Sequence, residues 1–229
     1  MNPWIESFFQ LLIPRQCVVC NRVLSHAEDG ICTFCHIDIP RTHYHLQKDN
    51  RMEKQFWGQI PIERASAFFY YQKGSVYRNI IHALKYKGRK DVAKKMGMQL
   101  AQEMQDSDFW EDIDMIIPIP IHPKRLKKRG YNQSEWIAKG IATLRKLPIN
   151  NRAVVRALHK KSQTSYSVAE RWENVKEAFE LRQPEGLAGK HILLVDDVLT
   201  TGATIRACAS AFSEIEGVRF SILTLGVVR

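Results

Sequence analysis

The segment that most constrains the fold of this 229-residue chain is His191–Thr204, which reads HILLVDDVLTTGAT. It begins with an apolar, partly β-branched run, Ile192–Val195, which suits a strand buried on both faces of a sheet. Two acids, Asp196 and Asp197, follow at the carboxyl end of that strand, where open α/β sheets bind their ligands. The sequence therefore predicts an α/β fold with a central, mostly parallel sheet flanked by helices, and a polar site at one strand end.

A short polar turn follows the two acids and leads into a helix that we expect to end near Gly217. Gly202 allows the backbone in this turn to bend sharply or to approach a ligand closely. The free N–H groups and the positive dipole end of the next helix favour an anion. Carboxylates beside an anion cradle match a sugar phosphate, whereas an ordinary strand–turn–helix with two solvated acids is the plain alternative. The candidate residues of the turn are Thr200, Thr201, Gly202, Ala203 and Thr204.

The turn matches neither of the two best-known phosphate loops. It has no Gly-Lys-Ser/Thr, which a Walker A loop requires, and no GxGxxG, which marks a Rossmann fold. The net charge of +10 suits polyphosphate substrates or nucleic acid but does not choose between them. The sequence has no run of the roughly 18 apolar residues that a membrane span needs, and residues 1–13 suggest a short amphipathic helix rather than a signal peptide. We therefore expect a cytoplasmic protein.

Four cysteines near the amino end have the spacing C-x2-C-x11-C-x2-C. This is close to the spacing of a four-thiolate zinc site, and a bound ion would supply folding free energy to a small, loop-rich segment. Two disulfides or free thiols are the alternatives, and a nearby histidine (His36, His43 or His45) could replace one cysteine as a ligand. We expect a structural Zn²⁺ module within residues 1–60 and a second domain over residues 61–229. The four candidate ligands are Cys17, Cys20, Cys32 and Cys35.

Two basic segments are further candidates for binding phosphates. The first, LKYKGR, surrounds Gly88 with Lys85 and Lys87, and side chains and amides together could wrap a diphosphate there. The second, residues 122–135, contains Arg125 and Arg129 and is predicted to be a loop between a strand and a helix. This loop could close over a pyrophosphate leaving group or contact nucleic-acid phosphates. A solvated helix end and a solvated, mobile loop are the respective alternatives.

The rest of the chain completes the expected α/β pattern. Further strands are predicted at Ala65–Tyr71, Asp114–Ile121 and residues 219–228, and residues 37–64 are expected to be a connector. A hydrophilic block with Lys161, Gln163, Arg171 and Asn174 precedes the strand that carries the acids.

Several of these segments resemble known families. VDDVLTTGAT is similar to the phosphoribosyl pyrophosphate (PRPP) binding motif of type I phosphoribosyltransferases. Together with LKYKGR, PIPIHPKRLKKRGYNQSE, the K-S-Q-T block and the cysteine module, it resembles the ComF family, which includes the GntX-type proteins. The likeness covers nearly the whole chain, although many members carry more than two CxxC pairs. Proteins of this family are linked to DNA uptake in natural competence or to the use of external DNA.

The resemblance implies a type I phosphoribosyltransferase fold that binds PRPP with Mg²⁺. Asp196 and Asp197 would hold the ribose hydroxyls, and residues 200–204 would hold the 5′-phosphate. Arg125 and Arg129, with Lys85 and Lys87, would stabilise the charge on the leaving pyrophosphate. The protein would then transfer a phosphoribosyl group to an unknown acceptor. The alternative is a non-catalytic competence factor that binds single-stranded DNA and a helicase-like partner and uses the PRPP site as a sensor.

Overall fold

A computed structural model describes residues 14–157 and 178–229 of the chain, and its centre is a four-stranded parallel sheet. The strands follow the order β1-β6-β5-β2, and every neighbouring pair is parallel. The predicted α/β class is therefore confirmed. The bounds are β1 Ile62–Tyr71, β2 Met115–Pro118, β5 His191–Leu199 and β6 Arg219–Val228, and a separate antiparallel hairpin pairs β3 Val154–Arg156 with β4 Phe179–Leu181.

Helices cover the sheet and connect its strands. Two short 3-10 turns, at Tyr44–Leu46 and Asp108–Trp110, complete the elements of the described residues. Two sequence predictions, the amphipathic helix in residues 1–13 and the K-S-Q-T block, lie outside the described residues. The helices are α1 Thr33–Ile37, α2 Arg51–Lys54, α3 Arg78–Tyr86, α4 Lys90–Glu103, α5 Pro123–Arg129, α6 Gln133–Arg145 and α7 Ala203–Ser210.

The apolar run of β5 is buried on both faces, as its sequence predicts. Alternate residues of a strand point to opposite faces, and here Leu193 and Val195 join one hydrophobic cluster while Ile192 and Leu194 join the other. The strand extends to Leu199, so the two acids lie within its last residues rather than after its end. The two acids are consecutive residues of the strand, so their Cβ atoms start toward opposite faces of the sheet.

Helices α4 and α6 cross unusually closely, and two glycines make this possible. A Cβ atom on Gly97 would lie 2.2 Å from the carbonyl oxygen of Ile137, and one on Gly140 would lie 2.1 Å from that of Lys94. Any side chain at either position would separate the helices. This crossing fixes α6 beside β5 and so sets the position of the amino end of α6 near the acids.

Three local predictions are wrong. The basic segment expected to be a loop forms helix α5, because the His122 side chain accepts a hydrogen bond from the Lys124 amide at 3.1 Å and Pro123 suits the first helical position. Helix α7 ends at Ser210, and the chain reaches Gly217 through tight turns instead of a continuing helix. Residues 37–64 are not a plain connector, since Asn50 and Glu53 form a capping box that starts α2.

The cysteine segment packs against the main body of the protein. Cys17, Val19 and Cys32 belong to the same hydrophobic cluster as residues of α3 and α4. The Asn79 side chain of α3 donates a hydrogen bond to the Val19 carbonyl at 3.2 Å. The division into residues 1–60 and 61–229 stays a prediction.

Candidate functional site

A cavity of about 380 Å³ opens at the carboxyl ends of β1, β2 and β5. Ligands of open parallel sheets bind at this edge, because the connections to the helices leave a crevice there. Five of its eleven charged and polar lining residues are cationic, and the two acids lie on its floor. The charged and polar lining residues are Tyr71, Lys73, Lys85, Arg125, Arg129, Gln133, Arg156, Asp196, Asp197, Thr200 and Thr204.

The two acids have different surroundings. Asp197 is only 7% exposed and its Oδ1 lies 3.0 Å from the Nζ of Lys85. Asp196 Oδ1 accepts hydrogen bonds from the Ser134 hydroxyl at 3.0 Å and from the Asp197 amide at 2.8 Å. Burial, and after it the neighbouring Asp197 carboxylate, raises the pKa of Asp196 to about 7. A ligand that brings hydroxyl donors or a cation would relieve this unfavourable charge.

The turn after β5 is supported from behind by the segment that follows α2. Gly202 has φ +74° and caps α7, and a Cβ atom there would lie 2.9 Å from the ring of Phe56. Gln55 Nε2 donates to the Thr200 carbonyl at 3.2 Å. The turn is therefore held in place by residues more than 140 positions away in sequence, and its free amides precede a helix start that favours an anion.

The corner between α5 and α6 places arginine side chains over the acids. The Tyr131 hydroxyl and the Gln133 amide both donate hydrogen bonds to the Leu84 carbonyl near the end of α3. Arg129 in turn donates to Gln133 Oε1 at 3.0 Å. These contacts tie α5 to the end of α3, so that Arg129 and Lys85 line the same cavity.

The structure brings most, but not all, of the predicted site residues together. Asp196, Asp197, Lys85, Arg125, Arg129, Thr200 and Thr204 line the cavity. Lys87, Thr201, Gly202 and Ala203 are not part of its lining; Lys87 caps the end of α3, and Gly202 shapes the turn. Gly88 lines a second cavity of about 420 Å³, which also contains Lys85, Arg125 and Arg129.

Five residues of the site were missed from the sequence, and the first of them, Tyr71, ends β1. Lys73 follows β1, Arg156 ends β3, and Ser134 and Gln133 open α6. Burial, and after it the Arg125 charge, lowers the pKa of Arg156, which also stacks on Phe179 with its guanidinium 5.2 Å from the ring centroid. The position of Lys73 just after a predicted strand was a usable signal, but nothing local marks Arg156, which the β3–β4 hairpin brings over the sheet.

The four amino-terminal cysteines form a second candidate site, which can hold a metal ion. Their sulfur atoms all lie within 4.8 Å of one another, and those of Cys20 and Cys32 are 3.7 Å apart. Four thiolates around a tetrahedral zinc ion would be about 3.8 Å apart. Among the described residues no disulfide forms, and all five cysteines are free. His36, His43 and His45 are not part of the cluster.

Three of the four cysteine thiols have shifted pKa values. Burial raises the pKa of Cys17, but hydrogen bonds from the backbone amides of Cys20, Cys32 and Val19 outweigh it and bring the pKa to about 7. Burial raises the pKa values of Cys32 and Cys35. Buried thiols with raised pKa values lose their protons only when a cation compensates the charge, which a metal ion at this point would do.

Comparisons with known proteins confirm the resemblance to the ComF family. The chain is 28% identical over 214 residues to the DNA utilization protein YhgH of Shigella flexneri, covering 87% of this chain and 91% of that protein. It is 25% identical over 202 residues to Competence protein F of Haemophilus influenzae, covering 83% of this chain and 87% of that protein. These proteins are homologues of this chain. No protein-family model matches it.

Among solved structures, the chain is similar to a purine phosphoribosyltransferase from Pyrococcus horikoshii Ot3. The two share 12% identity with a TM-score of 0.35, over 58% of this chain and 80% of that one. A likeness of this size is partial. Within the two described stretches, no helix has the length and apolar character to cross a membrane.

Proposed function

We propose that the cavity at the carboxyl edge of the sheet binds PRPP together with Mg²⁺, and that the protein works in DNA uptake or DNA utilisation, as the names of its homologues say of those proteins. The observation that carries the proposal is the pair Asp196 and Asp197 on the floor of a cavity rimmed by cations and by the Thr200–Thr204 turn. Two acids and an anion cradle suit the ribose hydroxyls and the 5′-phosphate of one ligand. The proposed cytoplasmic location agrees with such a substrate.

The acids are also the proposed contact for Mg²⁺, because carboxylate oxygens are ligands that this hard cation accepts. Mg²⁺ would be bound mostly through substrate oxygens and water, and it would neutralise part of the negative charge of the pyrophosphate. Asp197 orients one ribose hydroxyl while Lys85 balances its charge at 3.0 Å. Asp196, whose pKa is about 7, holds its charge more easily once a hydroxyl donor or a cation is beside it.

In the proposed reaction the bond between C1′ and the pyrophosphate oxygen breaks, and its electron pair leaves on the pyrophosphate. A lone pair of the acceptor forms the new bond to C1′, and the proton of the acceptor passes to pyrophosphate or solvent. Arg125 and Arg129, with Lys85, stabilise the charge that grows on the leaving group, and such stabilisation is catalytic where it is stronger in the transition state. Lys87, the other predicted cation, lies at the end of α3 and outside the cavity lining.

At the amino end we propose a structural Zn²⁺ ion held by Cys17, Cys20, Cys32 and Cys35. The near-tetrahedral spacing of the sulfur atoms supports this choice of metal. The alternative of a non-catalytic factor with single-stranded DNA and a helicase-like partner is not favoured, because acids, turn and cations converge in one cavity of a size suited to a small molecule.

Titration calorimetry tests the proposal directly. PRPP with MgCl₂ should bind at one site per chain, and ribose 5-phosphate, which lacks the pyrophosphate, should bind more weakly by tenfold or more. The absence of saturable PRPP binding at millimolar concentration would contradict the proposal. A pyrophosphate-release assay against bases, amines and nucleotides then separates turnover from binding alone.

A further inference from the structure

The second cavity, of about 420 Å³, adjoins the proposed PRPP cavity and differs from it in chemistry. The two cavities share one wall, which consists of Lys85, Arg125 and Arg129. The residues that only the second cavity has are Tyr86, Gly88, Lys128 and Tyr131. We propose that this second cavity binds a small aromatic phosphate ester of the nucleoside monophosphate class beside PRPP; the proposal rests on the proposed function.

The charge of the lining argues for an anionic ligand. The cavity has four cationic side chains and no carboxylate in its lining. Lys85 is paired with Asp197 and Arg129 donates to Gln133, but within the described residues Arg125 and Lys128 form no ion pair and no side-chain hydrogen bond. Their charge remains available to a ligand, and a concave surface of one sign concentrates counter-ions. A neutral base alone would leave this charge unmatched.

The aromatic residues argue for a flat ring in addition to the anion. Tyr86 is 65% exposed at the end of α3, and the Arg129 guanidinium lies 5.7 Å from its ring centroid. The ring of His82 lies 4.8 Å from that of Tyr86. An exposed aromatic ring beside a guanidinium is a common platform for stacking a base.

The second cavity has free space beside Gly88, where a phosphate group could enter. Gly88 has φ +66°, and a Cβ atom there would meet no atom within 4 Å. The volume lies within the range of small-molecule sites, which is about 300–1,000 Å³. A ligand seated between Lys128 and Tyr86 would reach the shared wall of Lys85, Arg125 and Arg129.

The test compares nucleotides with their nucleosides on the full-length protein in the presence of Mg²⁺ and PRPP. Calorimetry with AMP, GMP, CMP and UMP should detect at least one nucleotide that binds at least tenfold more tightly than its own nucleoside. Lys128→Glu should lower the affinity for that nucleotide by about tenfold or more, because it replaces an attraction with a repulsion. The same variant should change the affinity for PRPP by less than twofold. Tyr86→Ala should lower the affinity for the nucleotide but leave the affinity for inorganic phosphate unchanged.

Lys124→Glu is the matched control, because it makes the same charge change on the same helix at a residue that lines neither cavity. It should alter neither affinity. The inference is overturned if nucleosides bind as tightly as nucleotides, or if no nucleotide binds while PRPP does. It is also overturned if Lys128→Glu lowers the affinity for PRPP as much as the affinity for the nucleotide. Binding of oligonucleotides without any binding of mononucleotides would also overturn it. Failure of PRPP itself to bind would instead contradict the proposed function.

Discussion

The cysteine cluster and the acid-pair cavity are built in opposite ways. All four cysteines lie within 19 consecutive residues, whereas the cavity combines side chains from Tyr71 to Thr204. The first site depends on local spacing, and its expected contribution is to folding. The second depends on the sheet that brings distant strand ends together, and its expected contribution is to binding. We therefore expect substitutions in the cysteine cluster to destabilise the fold. Substitutions in the cavity should leave the fold intact and weaken ligand binding.

The largest expected effect is on the cysteine cluster. Cys17→Ser should abolish stoichiometric zinc and lower thermal stability strongly, because a structural zinc site contributes about 10–16 kcal/mol of apparent binding free energy in small zinc modules. Metal analysis and thermal melts measure both effects. Cys208→Ala is the control, since Cys208 is an equally buried cysteine in the other hydrophobic cluster. Zinc retained by the Cys17 variant, or absent from the wild type, would remove this site from the account.

Asp197→Asn should have the next largest effect. It removes the charge that Lys85 balances and that a ribose hydroxyl would contact, so PRPP affinity should fall by about 10–100-fold, the cost of a hydrogen bond to a charged group. The control is Asp114→Asn at the opposite end of the sheet, where Asp114 Oδ1 lies 2.8 Å from the Nζ of Lys190. Equal loss of affinity in the two variants would show that the effect is not specific to the cavity.

The contrast between a local site and a site built from distant strands also explains how much of each could be predicted from the sequence. The C-x2-C pairs and the run from Ile192 to Thr204 are contiguous, so their chemistry and even their strand–turn–helix context could be predicted. Arg156 enters the cavity only through the β3–β4 hairpin, and Phe56 supports Gly202 only because α2 lies behind the turn. Such contacts depend on long-range packing, which no local pattern encodes.

Local propensity also failed where several weak signals compete. The segment from His122 to Arg129 has five basic residues in seven positions of α5, which suggested a solvated loop. The structure shows that the His122 cap, Pro123 at the first turn and Gly130 at φ +76° outweigh the repulsion between like charges. The cap and the glycine were visible in the sequence, and they are the signals that could have identified the helix.

Asp196→Asn should reveal the cost of this partly buried acid as a pH dependence of stability. The pKa of Asp196 rises from about 4 in an unfolded chain to about 7 in the fold, so its carboxylate destabilises the protein progressively as the pH rises between those values. The variant should therefore be more stable than the wild type at pH 8, by up to about 4 kcal/mol, and equally stable at pH 4. Thermal melts across this range measure the difference. A variant that is less stable than the wild type at pH 8 would contradict the assigned pKa.

Asn79→Ala should have the smallest effect and tests whether the two regions are coupled through α3. The side chain of Asn79 holds the Val19 carbonyl beside the cysteines, and Lys85 lies at the far end of the same helix. Loss of this hydrogen bond should cost about 1 kcal/mol of stability. Zinc content and PRPP affinity should stay within twofold of the wild type. A large loss of PRPP affinity would show that the cysteine region controls the cavity.

The most direct test of the central claim is a crystal structure of the protein soaked with PRPP and MgCl₂. The account predicts electron density for the ribose with its 2′- and 3′-hydroxyls on Asp196 and Asp197, and for the 5′-phosphate in the Thr200–Thr204 turn. Density for PRPP elsewhere on the protein, with the acid pair making no contact to it, would contradict the account.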